Sequence, residues 1–402
     1  MKIAIVSDLH LGYERFEDDA FSQAREALEE ASRLSDAVLI PGDIFDKRYP
    51  RPEVISQAIN IFRELSKKRW GASIVGHNGA TPIHTSAPII AIPGTHERIA
   101  EGKDNAVRLL SLAGLLADTS EATTVIQKGD EKVSVFGLGG IAEELVKERL
   151  AGLDPKPTKG AFSIFMFHQS VYEMLPYSEH FIRYADLPKG FDLYVSGHMH
   201  SRQEASVHGK KLLIPGSTVL TQMKGEEQAS KGFIVFDTQD GTHRFVQINS
   251  RPYVLGTIEV KDAKPSELLE KCDAEIERLI SGKGAKPIVR IKINGTLAKG
   301  FDKADLQVHA LTMRYAPKAF LSIDTSQLSS PGTELMIDEL REGKIGDMPI
   351  KELGMLTLAQ KLKEFGADPK IGYTELFSLL SSQASKDKIL KAANEMLFTD
   401  GS

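Results

Sequence analysis

Acidic and histidine residues recur in five short groups, and each group comes directly after an apolar run. In chain order the groups are Asp8 with His10, Asp43, His96 with Glu97, His168, and His198 with His200. Taken alone, any one of these side chains is more simply a surface or loop-capping residue. Together the groups hold five of the eleven histidines. Imidazole and carboxylate are ligands that manganese, iron and zinc accept in proteins, so the pattern predicts a metal site.

The spacing suits a site for two metal ions. Hydrolysis of a phosphate ester by two ions needs a bridging carboxylate, further imidazoles and carboxylates, and open positions for water and substrate. Asp8 and His10 are separated by one residue at a strand end, where both side chains can turn toward one ion. Asp43 follows Gly42, which permits a tight turn, and is the natural bridge. The remaining predicted ligands are His168, His198 and His200.

Predicted strands place the five groups. The apolar runs are residues 2–7, 37–40, 88–92, 163–167 and 192–195. Segments of helical period lie between them, for example residues 16–33 and 53–68. This alternation indicates an α/β domain with a mixed or parallel sheet. Because the loops at the carboxyl ends of such strands converge, the five groups can meet at one point.

The composition is that of a globular protein of more than one domain. Of the 402 residues, 41% are hydrophobic and 26% are charged. A single cysteine, Cys272, excludes an intrachain disulfide and favours a reducing compartment. Neither a signal peptide nor an apolar run of about 18 residues is present, so we expect a cytoplasmic protein without a membrane partner. The net charge of −5 argues against general coating of nucleic acid but permits a local basic surface.

The pattern changes twice along the chain. The histidine groups lie within residues 1–250, whereas residues 251–330 predict a small α/β domain with strands and helices in alternation. Residues 331–402 predict short amphipathic helices, whose apolar faces either receive a partner helix or form a core of their own. Residues 71–87 predict a loop between the second and third groups. We therefore expect two domains, at residues 1–250 and 251–330, followed by a helical segment at residues 331–402.

The order of the motifs, D-x-H, G-D, G-T-H-E, H and G-H-x-H, resembles that of the calcineurin-like metallophosphoesterase superfamily. The resemblance implies a β-sandwich flanked by helices that binds two divalent metal ions. One ion would take Asp8, His10, Asp43 and His200, and the other Asp43, His168 and His198. His96 would lie near the leaving group, as an acid or a transition-state stabiliser held by Glu97.

Four further segments resemble the narrower family of Mre-eleven and SbcD nucleases, which repair DNA double-strand breaks. They are DLHLG at residues 8–12, GDIFDKRYPRP at 42–52, IPGS at 214–217 with KGF at 231–233, and the Arg251-Pro252 boundary. The resulting hypothesis is an exonuclease or endonuclease with two Mn²⁺ ions, acting on double-stranded DNA ends and associated with the nucleoid. The resemblance also implies a DNA-seating capping domain at 251–330, homodimerisation, and a helical segment at 331–402 that binds a Rad-fifty-type ATPase.

Two positions depart from these family patterns. Thr95 stands where the superfamily usually has an asparagine that ligates the second metal, and a hydroxyl is a shorter and weaker ligand. Together with Glu97 it is a candidate ligand or supporting residue of that metal. Asp46 stands where several relatives have histidine, and it is a candidate substrate contact. The nearby basic residues that are candidate contacts to DNA phosphates are Lys47, Arg48, Arg51 and Arg98.

Three functions are compatible with these observations. The first is the two-metal DNA nuclease. The second is a phosphodiesterase or phosphatase that uses the same centre on a small nucleotide or a phosphoprotein, although the additional domains are not needed for it. The third is a scaffold that bridges DNA ends and recruits the ATPase. This third hypothesis rests on Thr95, whose hydroxyl would bind the second metal weakly. Loss of a group around a metal commonly costs on the order of 10- to 100-fold in affinity or activity.

Overall fold

The computed structural model of the chain describes residues 1–79, 82–85, 87–98, 103–176, 178–223, 229–283 and 286–330. By its internal contacts the chain divides into two compact units. Among the described residues, the first comprises Met1–Thr257, Cys272–Lys292 and Val308–Asp324, and the second comprises Ile258–Lys271, Ile293–Gln307 and residues 325–330. The helical segment predicted at residues 331–402 lies outside the described residues and stays a prediction.

Strands and helices alternate along the described chain. The strands are β1 (Lys2–Ile5), β2 (Ala37–Pro41), β3 (Ser73–His77), β4 (Ile89–Ile92), β5 (Ala117–Asp118), β6 (Thr123–Lys128), β7 (Glu131–Leu138), β8 (Phe162–Phe167), β9 (Leu193–Ser196), β10 (Gln203–Val207), β11 (Lys210–Ile214), β12 (Gly232–Asp237), β13 (His243–Gln247), β14 (Tyr253–Ala263), β15 (Ile288–Leu297), β16 (Phe320–Asp324) and β17 (Leu328–Ser329). The α-helices are α1 (Glu17–Leu34), α2 (Pro52–Ser66), α3 (Ala106–Leu112), α4 (Val146–Leu153), α5 (Pro265–Ile280) and α6 (Val308–Tyr315).

Two mixed sheets form the main part of the first unit. One has the strand order β13-β12-β1-β2-β4-β5, in which β1, β2, β4 and β5 are parallel. The other has the order β10-β11-β9-β8-β7-β6-β3, in which β11, β9, β8 and β7 are parallel. Each of the five motif groups follows one of these parallel strands, namely β1, β2 and β4 in one sheet and β8 and β9 in the other. Within each sheet the groups therefore share one edge.

Apolar side chains fill the space between the two sheets. Ile5 and Leu39 of the first sheet belong to the same buried cluster as Val135 and Ile164 of the second. The opposite face of the first sheet is also apolar, and Val38 lies in a buried cluster with side chains of α1 and α2. Strands buried on both faces read as continuous apolar runs, as these do. The first unit is thus a β-sandwich with helices outside, and the predicted fold class is confirmed.

The predicted elements match the structure except in one segment. The helix expected at residues 16–33 is α1, and the one expected at 53–68 is α2. The loop expected at residues 71–87 was wrong in part, because it contains β3, which pairs antiparallel with β6. This edge strand has a register shift between Ile74 and Gly76 and contains no buried residue. A strand without a buried face needs no alternation of apolar and polar residues, so its sequence was predicted as a loop. Among the described residues, no helix is long and apolar enough to cross a membrane.

A third sheet follows the sandwich in the chain, with the order β14-β15-β16 and with β17 also beside β15. In the first unit, β15 pairs in parallel with β16 from Ile288 to Lys292. In the second unit, Gly295 and Thr296 of β15 pair in parallel with β17. The strands and helices expected in residues 251–330 are present. That this range is a capping domain which seats DNA stays a prediction.

Candidate metal centre

The chain turns sharply after the motif-bearing strands. Asp8, His10, Asp43 and His198 have positive φ angles of 52°, 46°, 50° and 74°. They are four of the eight non-glycine residues with positive φ in the described chain, so this strain is concentrated at the predicted ligands. Such conformations cost on the order of 1–3 kcal/mol each and persist where the surrounding structure imposes them. Here they aim neighbouring side chains into one site.

Two glycines allow the loops of the second and third motifs to meet. A Cβ atom on Gly94 would lie 2.1 Å from Asp43 Oδ1, and one on Gly42, whose φ is 95°, would lie 2.3 Å from His168 Nδ1. Real Cβ atoms do not approach other atoms this closely. Both positions therefore need glycine for the carboxylate of Asp43 and the ring of His168 to reach their places.

Asp8, His10 and His200 form the first group of donor atoms, which lie within 4.8 Å of one another. The Nε2 atoms of His10 and His200 are 3.1 Å apart. Asp8 is fully buried, and its Oδ1 accepts a hydrogen bond from the backbone N–H of His198 at 3.1 Å. Two neutral ring nitrogens that face each other at this distance repel unless a proton or a cation lies between them. The arrangement therefore suits a cation.

Residues 216–221 form a loop that we call the clasp, and it holds His200. Thr221 Oγ1 lies 2.5 Å from His200 Nδ1, which leaves Nε2 of the ring to face the donor group. The backbone N–H of Ser217 donates to the carbonyl of His200 at 3.1 Å. The buried ammonium of Lys231 donates to the same carbonyl at 3.2 Å and to Ser217 Oγ at 2.9 Å. The position of His200 is thus set by side chains that come much later in the chain.

Asp43, His168 and His198 form the second group. The Nδ1–H of His168 donates to the carbonyl of Pro41 at 2.7 Å, so a neutral ring carries its lone pair on Nε2. That Nε2 lies 3.2 Å from Asp43 Oδ2. It is buried, and it has no hydrogen-bond partner unless it carries a proton that it can donate to Asp43. A proton or a metal ion is therefore needed between these two atoms, and a metal ion can take the place of the proton. The donor set therefore fits a divalent cation.

Burial and neighbouring charges shift the pKa values of these groups. Burial opposes the charged forms of Asp43 and His168, but their attraction outweighs it: the pKa of Asp43 lies well below its ordinary value and the pKa of His168 rises to about 9. Burial lowers the pKa of His10. Burial, followed by the charge of His168, lowers the pKa of His198 to about 3. His198 is therefore neutral near pH 7, which is the form that binds a metal.

Glu97 supports the loops around Asp43 and does not hold His96. Its fully buried carboxylate accepts hydrogen bonds from the backbone N–H groups of Gly94 at 2.6 Å, Asp43 at 3.1 Å and Phe45 at 2.7 Å. Burial, together with the charge of Asp43, raises the pKa of Glu97 to about 8. The expectation that Glu97 orients the ring of His96 is corrected, because the carboxylate is used on backbone amides.

The carbonyl of Asp46 orients His96 instead. His96 Nδ1 lies 2.6 Å from this oxygen, and the side chain of His96 is 41% exposed. The carboxylate of Asp46 is only 11% exposed, and its Oδ1 lies 3.4 Å from His10 Nδ1 and 3.9 Å from His96 Nδ1. His10, Asp46 and His96 form a third group of potential donors. Asp46, expected as a substrate contact, thus faces the two histidines.

The part of the chain that carries this centre matches a known family. Residues 1–202 match the family model described as calcineurin-like phosphoesterase. The chain belongs to this family. Calcineurin-like phosphoesterases use divalent metals, and the donor groups described above are where this member can hold them. The superfamily predicted from the motif order is confirmed.

Curated relatives carry the name of the narrower family that the motifs indicated. The chain is 28% identical over 309 residues to the double-strand break repair protein MRE11 of Encephalitozoon cuniculi, covering 70% of this chain and 53% of that protein. It is 26% identical to the DNA double-strand break repair protein Mre11 of Sulfolobus acidocaldarius, covering 74% and 76% respectively. It is 28% identical to the Saccharolobus solfataricus protein of the same name, covering 73% and 75%. The chain thus spans about half the length of the first of these relatives.

Thr95 lies beside the carboxylate of Asp43. Its hydroxyl lies 3.4 Å from Asp43 Oδ2, at the outer limit of a hydrogen bond. The side chain is half-buried beside the second donor group, on the loop that Glu97 supports. A threonine here contacts the carboxylate of Asp43, and its role as a ligand stays a prediction.

The four predicted DNA contacts of this phosphoesterase lie on the surface. Lys47 and Arg51 pair with acidic side chains, Glu14 at 3.7 Å and Glu17 at 2.6 Å. The other two, Arg48 and Arg98, are exposed. The sequence analysis did not single out Tyr49, whose side chain is 70% exposed between Arg48 and Arg51. An aromatic residue interleaved with basic ones is the signal that would have made it a candidate for contact with DNA.

Other residues of the centre carried no motif signal. Thr221, Ser170 and Glu143 contact predicted ligands or each other, but each is a single polar residue in an ordinary segment. Lys231 was noted only as part of a family resemblance, and its contact with the carbonyl of His200 was not predicted. Hydrogen bonds between distant loops cannot be found from residue type and spacing.

Proposed function

We propose that the chain is a two-metal DNA nuclease that acts on double-stranded ends in double-strand-break repair. One observation carries the proposal: two groups of donor atoms converge at the edge of the sandwich, and the buried His168 Nε2 faces the carboxylate of Asp43 at 3.2 Å, where a metal ion can take the place of a proton. The names of the curated relatives support DNA as the substrate. The proposed metal ligands are Asp8, His10, Asp43, His168, His198 and His200.

The donor set favours two divalent ions. Asp8, His10 and His200 would hold one ion, and His168 and His198 the other, with the carboxylate of Asp43 shared. Oxygen and imidazole ligands suit manganese, iron and zinc, and we propose that both ions in this chain are Mn²⁺. When bound, two such ions activate a water and neutralise charge on the phosphate.

His96 would protonate or stabilise the leaving oxygen. Its Nδ1–H donates to the carbonyl of Asp46, so the other ring nitrogen, Nε2, is the one available to a substrate. Nε2 can donate a proton to the leaving oxygen only when the ring carries hydrogen on both nitrogens. The ring is partly exposed and adjoins His10, with ring centroids 4.9 Å apart. The backbone N–H of His96 also donates to Asp43 Oδ1 at 2.9 Å, which ties the position of the acid to the shared carboxylate.

Binding of DNA and of partner proteins extends the proposal. Phosphate contacts dominate affinity for DNA, and the exposed Arg48 and Arg98 lie on the loops that carry Asp43 and His96. Tyr49 offers a face on which a base can stack. By the family resemblance, residues 251–330 would help to seat DNA and residues 331–402 would bind a Rad-fifty-type ATPase. Homodimerisation is proposed on the same ground.

Digestion of linear double-stranded DNA tests the proposal. The full chain is compared with His96→Ala and with the control His180→Ala, which removes an exposed histidine outside the centre, each with Mn²⁺ and with a chelator. We expect Mn²⁺-dependent cleavage by the parent and the control and loss of most cleavage in His96→Ala, since general acid catalysis contributes about 100- to 10,000-fold. If the parent neither cuts nor binds DNA, phosphatase or phosphodiesterase action on a small nucleotide or a phosphoprotein replaces the proposal.

Thr95 favours a second candidate, a scaffold that bridges DNA ends with weakened catalysis. Its hydroxyl contacts Asp43, where an asparagine amide would reach the second metal. Under this alternative, Thr95→Asn raises cleavage by about 10-fold or more while DNA binding barely changes. The matched control is Thr158→Asn, a half-buried threonine before β8. Cleavage that is equal in the parent and in Thr95→Asn removes the main reason to favour a scaffold.

A further inference from the structure

A chain of three polar side chains leads away from the second donor group. Ser170 lies two residues after His168 and is 4% exposed. Its Oγ is 2.9 Å from His198 Nε2 and 3.1 Å from Glu143 Oε1. A serine hydroxyl has one hydrogen to donate, and a carboxylate can only accept. Ser170 therefore donates to Glu143 and accepts from the Nε2–H of His198.

This direction of hydrogen bonding decides the tautomer of His198. A neutral imidazole carries one N–H, so a proton held on Nε2 leaves the lone pair on Nδ1. His198 belongs to the donor group with Asp43 and His168. Its backbone N–H donates to Asp8 Oδ1 at 3.1 Å, which ties the residue to the first donor group as well. The ring is thus fixed in position by its backbone and in protonation by Ser170.

The segment that carries Glu143 is anchored close to the centre. The backbone N–H of Gly140 donates to the carbonyl of Pro93, one residue before the third motif, at 2.9 Å. The carbonyl of Gly139 accepts from the buried side chain of Gln169 at 2.8 Å. Gln169 lies between His168 and Ser170 in the sequence. These two anchors hold Glu143 within reach of Ser170.

We propose that Glu143 and Ser170 are positioning residues for the second metal site, acting through His198. The relay from carboxylate to hydroxyl to imidazole presents His198 Nδ1 as a ligand and prevents the ring from turning its N–H toward the metal. Partners of this kind are typical of metal-binding histidines, and losing them costs on the order of 10- to 100-fold in metal affinity. The inference rests on the proposed metal centre but not on the choice of DNA as substrate.

Isothermal titration calorimetry of the metal-free full chain with MnCl₂ tests the relay. The variants are Ser170→Ala and Glu143→Ala, with Ser134→Ala and Glu144→Ala as controls. Ser134 is also buried, but its hydroxyl contacts Ser163 within the second sheet. We expect Ser170→Ala to weaken one of the two Mn²⁺ sites by on the order of 10- to 100-fold and Glu143→Ala by less. The controls should bind as the parent does, and Ser170→Thr, which keeps the hydroxyl, should recover most of the affinity.

Two Mn²⁺ ions bound with parental affinities in both Ser170→Ala and Glu143→Ala would overturn the relay. Glu143 is half-buried, so its variant carries the test if circular dichroism shows that Ser170→Ala does not fold. Because Mn²⁺ binding is measured without DNA, the relay and the nuclease can fail separately. A parent that binds two ions and leaves DNA intact contradicts the nuclease alone, and parental Mn²⁺ affinities in the two variants contradict the relay alone. A parent that binds fewer than two ions contradicts the two-metal centre on which both rest.

Discussion

The two donor groups of the centre are supported in different ways. In the first group, side chains of the clasp and of Lys231 hold His200. In the second group, the carbonyl of Pro41 holds His168, and the carboxylate of Glu97 gathers three backbone amides around Asp43. The second group also depends on a close approach of loops, because Gly94 and Gly42 lie against Asp43 and His168.

This difference indicates where each group is vulnerable. Replacing Lys231 would loosen the first group, because its ammonium contacts both the carbonyl of His200 and the hydroxyl of Ser217. Adding a single methyl at Gly94 would disturb the second group, because that position lies against Asp43. Asp43 itself belongs to the second group by distance and is proposed to serve both.

The largest effect is expected from Asp43→Ala, which should impair both donor groups at once. Loss of the shared carboxylate should weaken both Mn²⁺ sites and lower cleavage by on the order of 1,000-fold, since metal catalysis is worth several kcal/mol and about 1.4 kcal/mol is tenfold. Cleavage rates and Mn²⁺ titration measure this. Asp192→Ala, one residue before β9, is the control. Retention of one site at full affinity would show that Asp43 does not bridge.

Gly94→Ala should act on the second group. The added Cβ would meet Asp43 Oδ1 at 2.1 Å and Asp43 N at 2.5 Å, so the loop must shift. We expect a loss of about 1–3 kcal/mol in the free energy of unfolding, measured with urea, and a weaker second Mn²⁺ site. Gly152→Ala is the matched control: it lies in α4 with no atom within 4 Å of its added Cβ. That control should be stabilised by about 0.5–1 kcal/mol. Equal stability of the two variants contradicts the close-approach argument.

Lys231→Met should act on the first group. Methionine keeps the length of the side chain but removes hydrogen bonds to the carbonyl of His200 and to Ser217 Oγ. We expect about 1–2 kcal/mol of lost stability and a first Mn²⁺ site weakened by about tenfold, with the second site retained. Lys211→Met, on an exposed part of β11, is the control. If the first site keeps its affinity, Thr221 and the backbone of Ser217 suffice to hold His200.

The smallest effect is expected outside both groups, from Arg48→Gln. If Arg48 contacts one phosphate, the slope of the logarithm of DNA affinity against the logarithm of salt concentration should flatten by about 1. Fluorescence anisotropy at several salt concentrations measures this slope. Arg33→Gln, which neutralises an exposed arginine near the end of α1, should leave it unchanged. Mn²⁺ binding should be the same in all three proteins.

The sequence by itself determined which residues could form the centre and which elements carry them. Buried strands such as β2 and β8 are continuous apolar runs, and the motif residues Asp43 and His168 follow them within a few positions. Both signals lie within a short stretch of the chain, so they can be recognised from the sequence alone. The motif order was sufficient to predict the superfamily and the sandwich. The helical periodicity of apolar residues in α1 and α2 is likewise a property of a short stretch of sequence.

Only the tertiary structure decided how the ligands are supported. The contacts of His200 with Thr221, of His198 with Ser170, and of Glu97 with the amide of Phe45 join loops that meet only because parallel strands end at one edge. The inward orientation of Asp46 depends on the same meeting of loops. Strand β3 forms because β6 offers an unpaired edge, not because its own residues alternate. Hydrogen-bond partners and edge pairing are properties of neighbours in space, and residue type and spacing do not encode them.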